Sequence, residues 1–159
     1  MGRPREFDLD EALDRALDVF WRHGYEGATI PHLTKAMGIN RPSLYAAFGS
    51  KEQLFRNVIH RYRAGPVAYA AEALKEPTAR AVTERLFAGF MCGLTNRKNP
   101  RGCLLVHGAL ASGDESASIR QELAAIREEL VNAIRDRFKQ AVKDGDLPTG
   151  TDYAALARY

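Results

Sequence analysis

GINRPSLYAAFGSKEQLF, residues 38–55, is the stretch that decides the fold. It reads as a short helix, a tight break and the start of a longer helix. Asn40 is a strong N-cap, and Pro42 falls in the first turn, where its missing N–H costs nothing. Leu44 and Phe48 are four apart and share one inward face. Arg41, Ser43, Tyr45 and Ala47 are left on the other faces. Gly49 is free to take the left-handed conformation that ends such a helix. Ser50 and Gln53 then form a capping box for the next helix, with Lys51 in its first turn.

Immediately upstream, residues 29–37 (TIPHLTKAM) read as another short helix, capped by Thr29 and with Pro31 in its first turn. Gly38 is the turn between the two. Two short helices joined by a Gly-containing turn, the second exposing Arg, Ser and Tyr, form a helix-turn-helix pattern.

Composition narrows the class without naming it. The 159 residues are 45% apolar and 27% charged, ordinary for a soluble globular chain with a substantial core. No apolar run reaches a membrane span, and MGRPREFD is no signal peptide. Cys92 and Cys103 make no disulfide framework and no CxxC, so a reduced, cytoplasmic protein is expected. The net charge of +3 is mild, and residues 1–65 carry ten Lys/Arg against eight Asp/Glu. The placement of the charges, not their sum, therefore carries the argument.

Outward from the decisive stretch the chain reads as all-α. Leu9, Leu13, Ala16, Leu17 and Phe20 lie at helical spacing in a first helix that Gly24 ends, with Trp21 and Tyr25 packing beside them. His23 sits in its last turn, where a partial positive charge is favourable. From Lys51, a fourth helix continues the stripe through Leu54, Phe55, Val58, Ile59 and Tyr62 until Gly65-Pro66 interrupts it, with a kinked continuation through Tyr69 and Leu74. Val82, Leu86, Phe90 and Leu94 mark the next helix, within which Cys92 reads as core. NRKNPRG, residues 96–102, is a basic loop, and residues 103–111 a nearly all-apolar helix that should be enclosed. Residues 115–143 form the longest helix, striped by Ile119, Leu123, Ile126, Leu130, Ile134, Phe138 and Val142. Asp152 caps a further helix at the end of the chain.

The array Gly24-Tyr25 with Thr29, then Gly38-Ile39, Ser43-Leu44-Tyr45, Phe48, Ser50-Lys51-Glu52 and Leu54 resembles the TetR family of bacterial transcriptional regulators. By motif the resemblance covers residues 1 to 60; beyond them it follows helical layout alone. Thr34 and Met37 stand where that family more often has alanine. The resemblance implies an N-terminal helix-turn-helix DNA-binding part, residues 1–55, and a helical ligand-binding and dimerisation part, residues 56–159. It also implies a homodimer with recognition helices in successive major grooves, roughly 34–36 Å apart. TetR-like chains usually add two C-terminal helices that build the dimer interface. The regulatory part therefore reads as shortened, with residues 115–143 left to supply one interface helix.

The DNA-facing set expected from this reading is Thr29, Asn40, Arg41, Pro42, Ser43, Tyr45, Ala46 and Lys51. Arg41 can read guanine bidentately, Ser43 is a tolerant donor or acceptor, and Pro42 offers an apolar contact. Tyr45 resembles the family's phosphate-binding tyrosine. Lys51 and the free N–H groups near Thr29 and Ser50 suit phosphate. Ala46 and Ala47 are small, so the helix can lie close to the groove. The Gly2-Arg3-Pro4-Arg5 start can follow the backbone or minor groove, or be an incidental basic tail.

For the regulatory part, Phe87, Phe90, Met91, Leu94, Leu104, Leu105, His107 and Ile126, joined by Cys103, can line an apolar pocket with one polar handle, or can be plain core. The effector would be a small apolar or aromatic molecule. Cys103 carries two further readings: an inert buried thiol, or a redox and electrophile sensor activated by a helix N-terminus, Lys98 and Arg101. His60 and His107 lack a spaced carboxylate or cysteine partner, so no metal, cofactor or catalytic set is expected, and a helical enzyme or carrier is the remote alternative. The expected partners are double-stranded operator DNA, the effector and a second copy, with no membrane.

Overall fold

The structure, a computed structural model, describes residues 7–108 and 116–159. The basic start at Gly2–Arg5 lies outside the described residues, as do residues 109–111 of the expected apolar helix and Glu115. Every regular element among the described residues is a helix.

Four helices form the N-terminal unit. α1 (Leu9–Gly27) starts where Asp8 accepts hydrogen bonds from Asp10 N and Glu11 N. Gly24 does not quite end it: its backbone (φ 69°, ψ −178°) breaks the helix, and one more turn runs to Gly27. α2 (Ile30–Met37) is capped by Thr29, with Pro31 in the first turn, and closes on Gly38 in the left-handed region (φ 67°, ψ 27°). α3 (Arg41–Phe48) is capped by Asn40, whose Oδ1 accepts from Ser43 N at 2.8 Å. α4 (Lys51–Ala64) is capped by Ser50, whose Oγ accepts from Gln53 N at 3.0 Å. Only this half of the expected capping box forms, because Ser50 N, the donor of the other half, is already bonded to Phe48 O at 3.0 Å. These caps satisfy donors that would otherwise face nothing.

Five shorter or later helices follow: α5 (Tyr69–Ala73), α6 (Ala79–Thr95), α7 (Leu104–His107), α8 (Ala117–Lys143) and α9 (Tyr153–Arg158). The interruption at Gly65-Pro66 is complete, so α5 is a separate helix rather than a kinked continuation. α5 packs on α6 through Gly89, where any Cβ would collide with the Tyr69 ring.

The main core joins α1 to α4 with the start of α7 and of α8. Phe20, Leu33, Leu44, Leu54, Phe55 and Tyr62 are buried there beside Leu104, Ile119 and Leu123. Trp21 seals one edge: its ring meets Tyr62 edge-on at 4.8 Å, and its Nε1 donates to Gly102 O at 2.8 Å. A second, smaller core gathers Ala79, Val82, Phe138 and Ala141. α8 serves both cores, which explains why Leu130, midway along its stripe, is exposed.

The α6 stripe is buried only in its first half. Val82 is enclosed, but Phe87, Phe90, Met91 and Leu94 are exposed, and Cys92, expected as core, is exposed too. Periodicity correctly marks an apolar face. Around the α5 contact at Gly89, its second half borders cavities rather than close-packed side chains. Among its described residues, the apolar run after Cys103 is enclosed at Leu104, Leu105 and Gly108, whereas Val106 and His107 face outward.

Candidate nucleic-acid interface and regulatory cavity

The expected set lies at three helix starts: Thr29 caps α2, Asn40 caps α3, which carries Arg41 to Ala46, and Lys51 opens α4. Thr29, Asn40, Arg41, Pro42 and Ala46 are exposed, whereas Ser43, Tyr45 and Lys51 are half-buried. Leu44 and Phe48 anchor α3 to the core, which leaves its N-terminal side chains outward. Thr29 Oγ1 and Asn40 Oδ1 are already engaged as caps, accepting from His32 N at 3.3 Å and Ser43 N at 2.8 Å. Their polar capacity is therefore partly committed before any ligand arrives. Arg41 stands with its guanidinium carbon 5.6 Å from the centre of the Tyr45 ring. Arg41 makes no ion pair among the described residues, so its five donors remain available for planar recognition.

Lys51, in the first turn of α4, holds its ammonium 4.6 Å from the centre of the Tyr25 ring. Burial pushes its pKa below the ordinary lysine value, and the nearby Glu26 carboxylate opposes that shift. The Tyr25 phenol is pushed up, chiefly by burial and then by Glu52. Sequence reading missed this pairing, and it also missed His23 against His32, whose rings lie 5.5 Å apart across the α1–α2 junction. Both are tertiary contacts between residues without any distinguishing spacing.

α4 carries connections away from this face. Arg61 donates to Asp14 at 2.7 and 2.8 Å and to Asp10 at 2.7 Å, tying α4 to α1. On another side Arg56 donates to Glu122 at 2.9 Å and Arg63 to Glu129 at 3.1 Å, tying α4 to α8.

The residues expected to line a pocket do not converge on one cavity. Phe87 and Phe90 line a cavity of about 660 Å³ between α5, α6, α8 and α9, together with Tyr69, Leu130, Ile134 and Phe138. Phe90, Leu94 and Cys103 border a separate space of about 40 Å³ beside Trp21 and Tyr62. Met91 and His107 are exposed, Leu104 and Leu105 lie in the main core, and Ile126 is half-buried against it. Three of the polar side chains of the large cavity already have partners. Arg80 pairs with Glu84 at 2.8 Å, and Thr83 Oγ1 donates to Ala79 O at 2.8 Å.

Cys103 is half-buried immediately before α7, and its Sγ accepts from the Tyr62 hydroxyl at 3.6 Å. That hydroxyl accepts in turn from Leu104 N at 3.4 Å. Burial and the adjacent thiol raise the Tyr62 pKa far above the ordinary phenol value. Among the described residues no cluster of three metal-ligating side chains occurs, and no helix is long and apolar enough to cross a membrane.

A short exposed helix, anchored by two core side chains and backed by a second helix across a left-handed glycine, defines a helix-turn-helix protein. Comparison with known proteins agrees at both ends of the chain. Residues 12–58 match the sequence model for bacterial regulatory proteins of the tetR family, and residues 80–159 match that for the tetracyclin repressor-like C-terminal domain. The HTH-type transcriptional repressor ComR of Escherichia coli (strain K12) is 31% identical over 99% of this chain and 76% of its own length. The HTH-type transcriptional regulator YezE of Bacillus subtilis (strain 168) is 30% identical over all of this chain and 83% of its own. Among solved structures, a cysteine mutant of the TetR family transcriptional regulator CifR, complexed with 26-base-pair double-strand operator DNA, is 45% identical. It superposes with a TM-score of 0.94 over 99% of this chain and 82% of its own. The chain belongs to the TetR family, a family of DNA-binding transcriptional regulators and not of enzymes.

Proposed function

We propose that this protein is a repressor that binds a specific double-stranded operator through α3 and leaves it when a small apolar or aromatic effector binds the regulatory part. The observation that carries the reading is the exposed N-terminus of α3, with Arg41 in no ion pair among the described residues and Leu44 and Phe48 fixing the helix from behind. Arg41, Pro42, Ser43 and Ala46 face the bases, while Thr29, Tyr45 and Lys51 grip phosphate and Asn40 holds the helix start. The operator complexes of CifR and the repressor name of ComR support the same assignment. The chain acts in the cytoplasm, where chromosomal DNA is, and as a homodimer whose two α3 helices enter successive grooves roughly 34–36 Å apart.

The effector site in this reading is the 660 Å³ cavity, a volume suited to a drug-sized molecule and lined almost wholly by carbon. The division between the DNA-binding part, residues 1–55, and the regulatory part, residues 56–159, falls within α4. Effector binding moves α4 through its ties to α8 and changes the separation of the recognition helices. To clear the operator, the effector must favour the released state by a few kcal/mol. Selection of bound sequences from a random duplex pool tests the assignment. The expected result is a palindrome with half-sites about one helical turn apart. Weak binding that is blind to sequence would contradict it.

One observation favours a second trigger. The Tyr62 hydroxyl donates to Cys103 Sγ, which ties this thiol to α4, and Cys103 borders its own small space. Addition of the thiol across an electrophilic C=C bond would replace S–H by S–C, the proton passing to the other carbon of the opened double bond, and the adduct would force Tyr62 and α4 to shift. Alkylation of Cys103 no faster than that of a free thiol would remove this reading.

A further inference from the structure

We infer that Tyr25 is a positioning residue for Lys51, its ring face being the seat that holds the ammonium ready for a DNA phosphate. The inference rests on the reading of Lys51 as a phosphate contact. It concerns a residue that touches no DNA in that reading.

The Tyr25 ring is fixed before Lys51 reaches it. Gly24 breaks α1 in the left-handed region and directs the last turn, which carries Tyr25, toward α4. There the ring stacks with Phe20 at 6.3 Å and 7° between planes, and meets Phe55 edge-on at 5.1 Å and 66°. Lys51 and Phe55 are four apart on α4, so they project from one face, and the first turn of that helix embraces the ring. Phe55 gives the rigid contact and Lys51 the charged one.

A ring is a better holder here than a carboxylate. A carboxylate partner would satisfy the ammonium but present a negative charge to the incoming phosphate. The aromatic quadrupole attracts the cation without adding net charge. An ammonium over a ring also turns its remaining N–H bonds away from it, toward whatever approaches. Lys51 makes no ion pair among the described residues, and Glu26, whose carboxylate acts on it electrostatically, accepts from Ser116 Oγ at 2.6 Å. The long lysine stem thus surrenders rotamer freedom during folding rather than at the encounter with DNA.

The test is a double-mutant cycle on the full chain with a random-sequence duplex pool, affinity being read across salt concentrations. Lys51→Met should lower affinity and reduce the salt slope by roughly 0.9, one phosphate contact. Tyr25→Phe keeps the ring face and should bind like the parent. Tyr25→Leu should weaken binding roughly two- to fivefold with the slope retained, because Lys51 still reaches phosphate but is no longer held. In the Lys51→Met background Tyr25→Leu should cost nothing further. An equal loss in both backgrounds would overturn the positioning role and leave Lys51 as a phosphate contact. Unchanged affinity and slope in Lys51→Met would overturn both. A measurement on the unsubstituted protein guards against misfolding of Tyr25→Leu: the Lys51 ε-methylene protons should be shifted upfield by the Tyr25 ring current, free and DNA-bound. Loss of that shift on binding DNA would also overturn the proposal.

Discussion

The Arg56 guanidinium on α4 donates to the Glu122 carboxylate on α8 at 2.9 Å, and seven residues farther along both helices Arg63 repeats the contact with Glu129 at 3.1 Å. Two rungs at one spacing hold the helix that begins at Lys51 against the helix that lines the large cavity. All four side chains are more than a third exposed, so each rung is worth at most about 1 kcal/mol and is screened by salt. Replacing Arg56 and Arg63 together by Gln should lower the melting temperature slightly in dilute salt. In molar salt the substituted and parent proteins should melt together. Thermal melts at both salt concentrations check this, and a loss that persists in high salt would mean the arginine stems contribute by packing.

Arg41 and Lys51 should fail in different ways. Arg41→Ala removes a fork able to discriminate a base by roughly 1–3 kcal/mol, so it should relax sequence preference and spare binding to random duplex. Lys51→Ala should weaken operator and random duplex alike and flatten the salt dependence by about one ion. Competition binding between a selected operator and random duplex distinguishes the two. Equal losses on both duplexes for both variants would contradict the assigned roles.

The N-terminal unit was legible because its determinants are local. Thr29 and His32, Asn40 and Ser43, and Ser50 and Gln53 are each three residues apart, and each pair forms the capping bond that spacing predicts. Leu44 and Phe48 are buried because four-residue spacing on a short helix leaves little choice. Farther along, periodicity gave an apolar face without its partner. Val82 and Phe90 lie on one stripe, yet Val82 is buried and Phe90 exposed, because cover is a tertiary matter. The large cavity was illegible for the same reason: Leu130, Ile134 and Leu156 reach it from helices far along the chain. Tyr25 and Lys51 meet across α1 and α4 with nothing in either local pattern to pair them.

Asn40 offers a separation of structural and binding roles. Its Oδ1 caps α3, so Asn40→Ala should destabilise the protein by about 0.5–2 kcal/mol. Asn40→Asp keeps the capping oxygen and adds a negative charge beside the expected DNA backbone. That variant should melt like the parent but bind any duplex more weakly. Denaturant unfolding and duplex titration of both variants provide the comparison. Full duplex affinity in Asn40→Asp would place Asn40 away from the phosphates.

Trp21, the single tryptophan, lines the small space that Cys103 borders and stands edge-on to Tyr62, which hydrogen-bonds Cys103. A group on Cys103 Sγ that turns into the neighbouring space of about 40 Å³, smaller than most adducts, displaces the Tyr62 or Trp21 ring or the loop at Gly102. Each displacement alters the indole environment, including the Nε1 bond to Gly102 O. Alkylation by a small electrophile should therefore change tryptophan emission in step with the modification of Cys103. In Cys103→Ser the exposed Cys92 remains to react, and the emission should stay constant while it does. Following adduct mass and fluorescence together through the reaction decides the point. An emission change that tracks Cys92, or none at full modification of Cys103, would uncouple this thiol from α1 and α4. The sensor reading would then lose its path to the DNA-binding face.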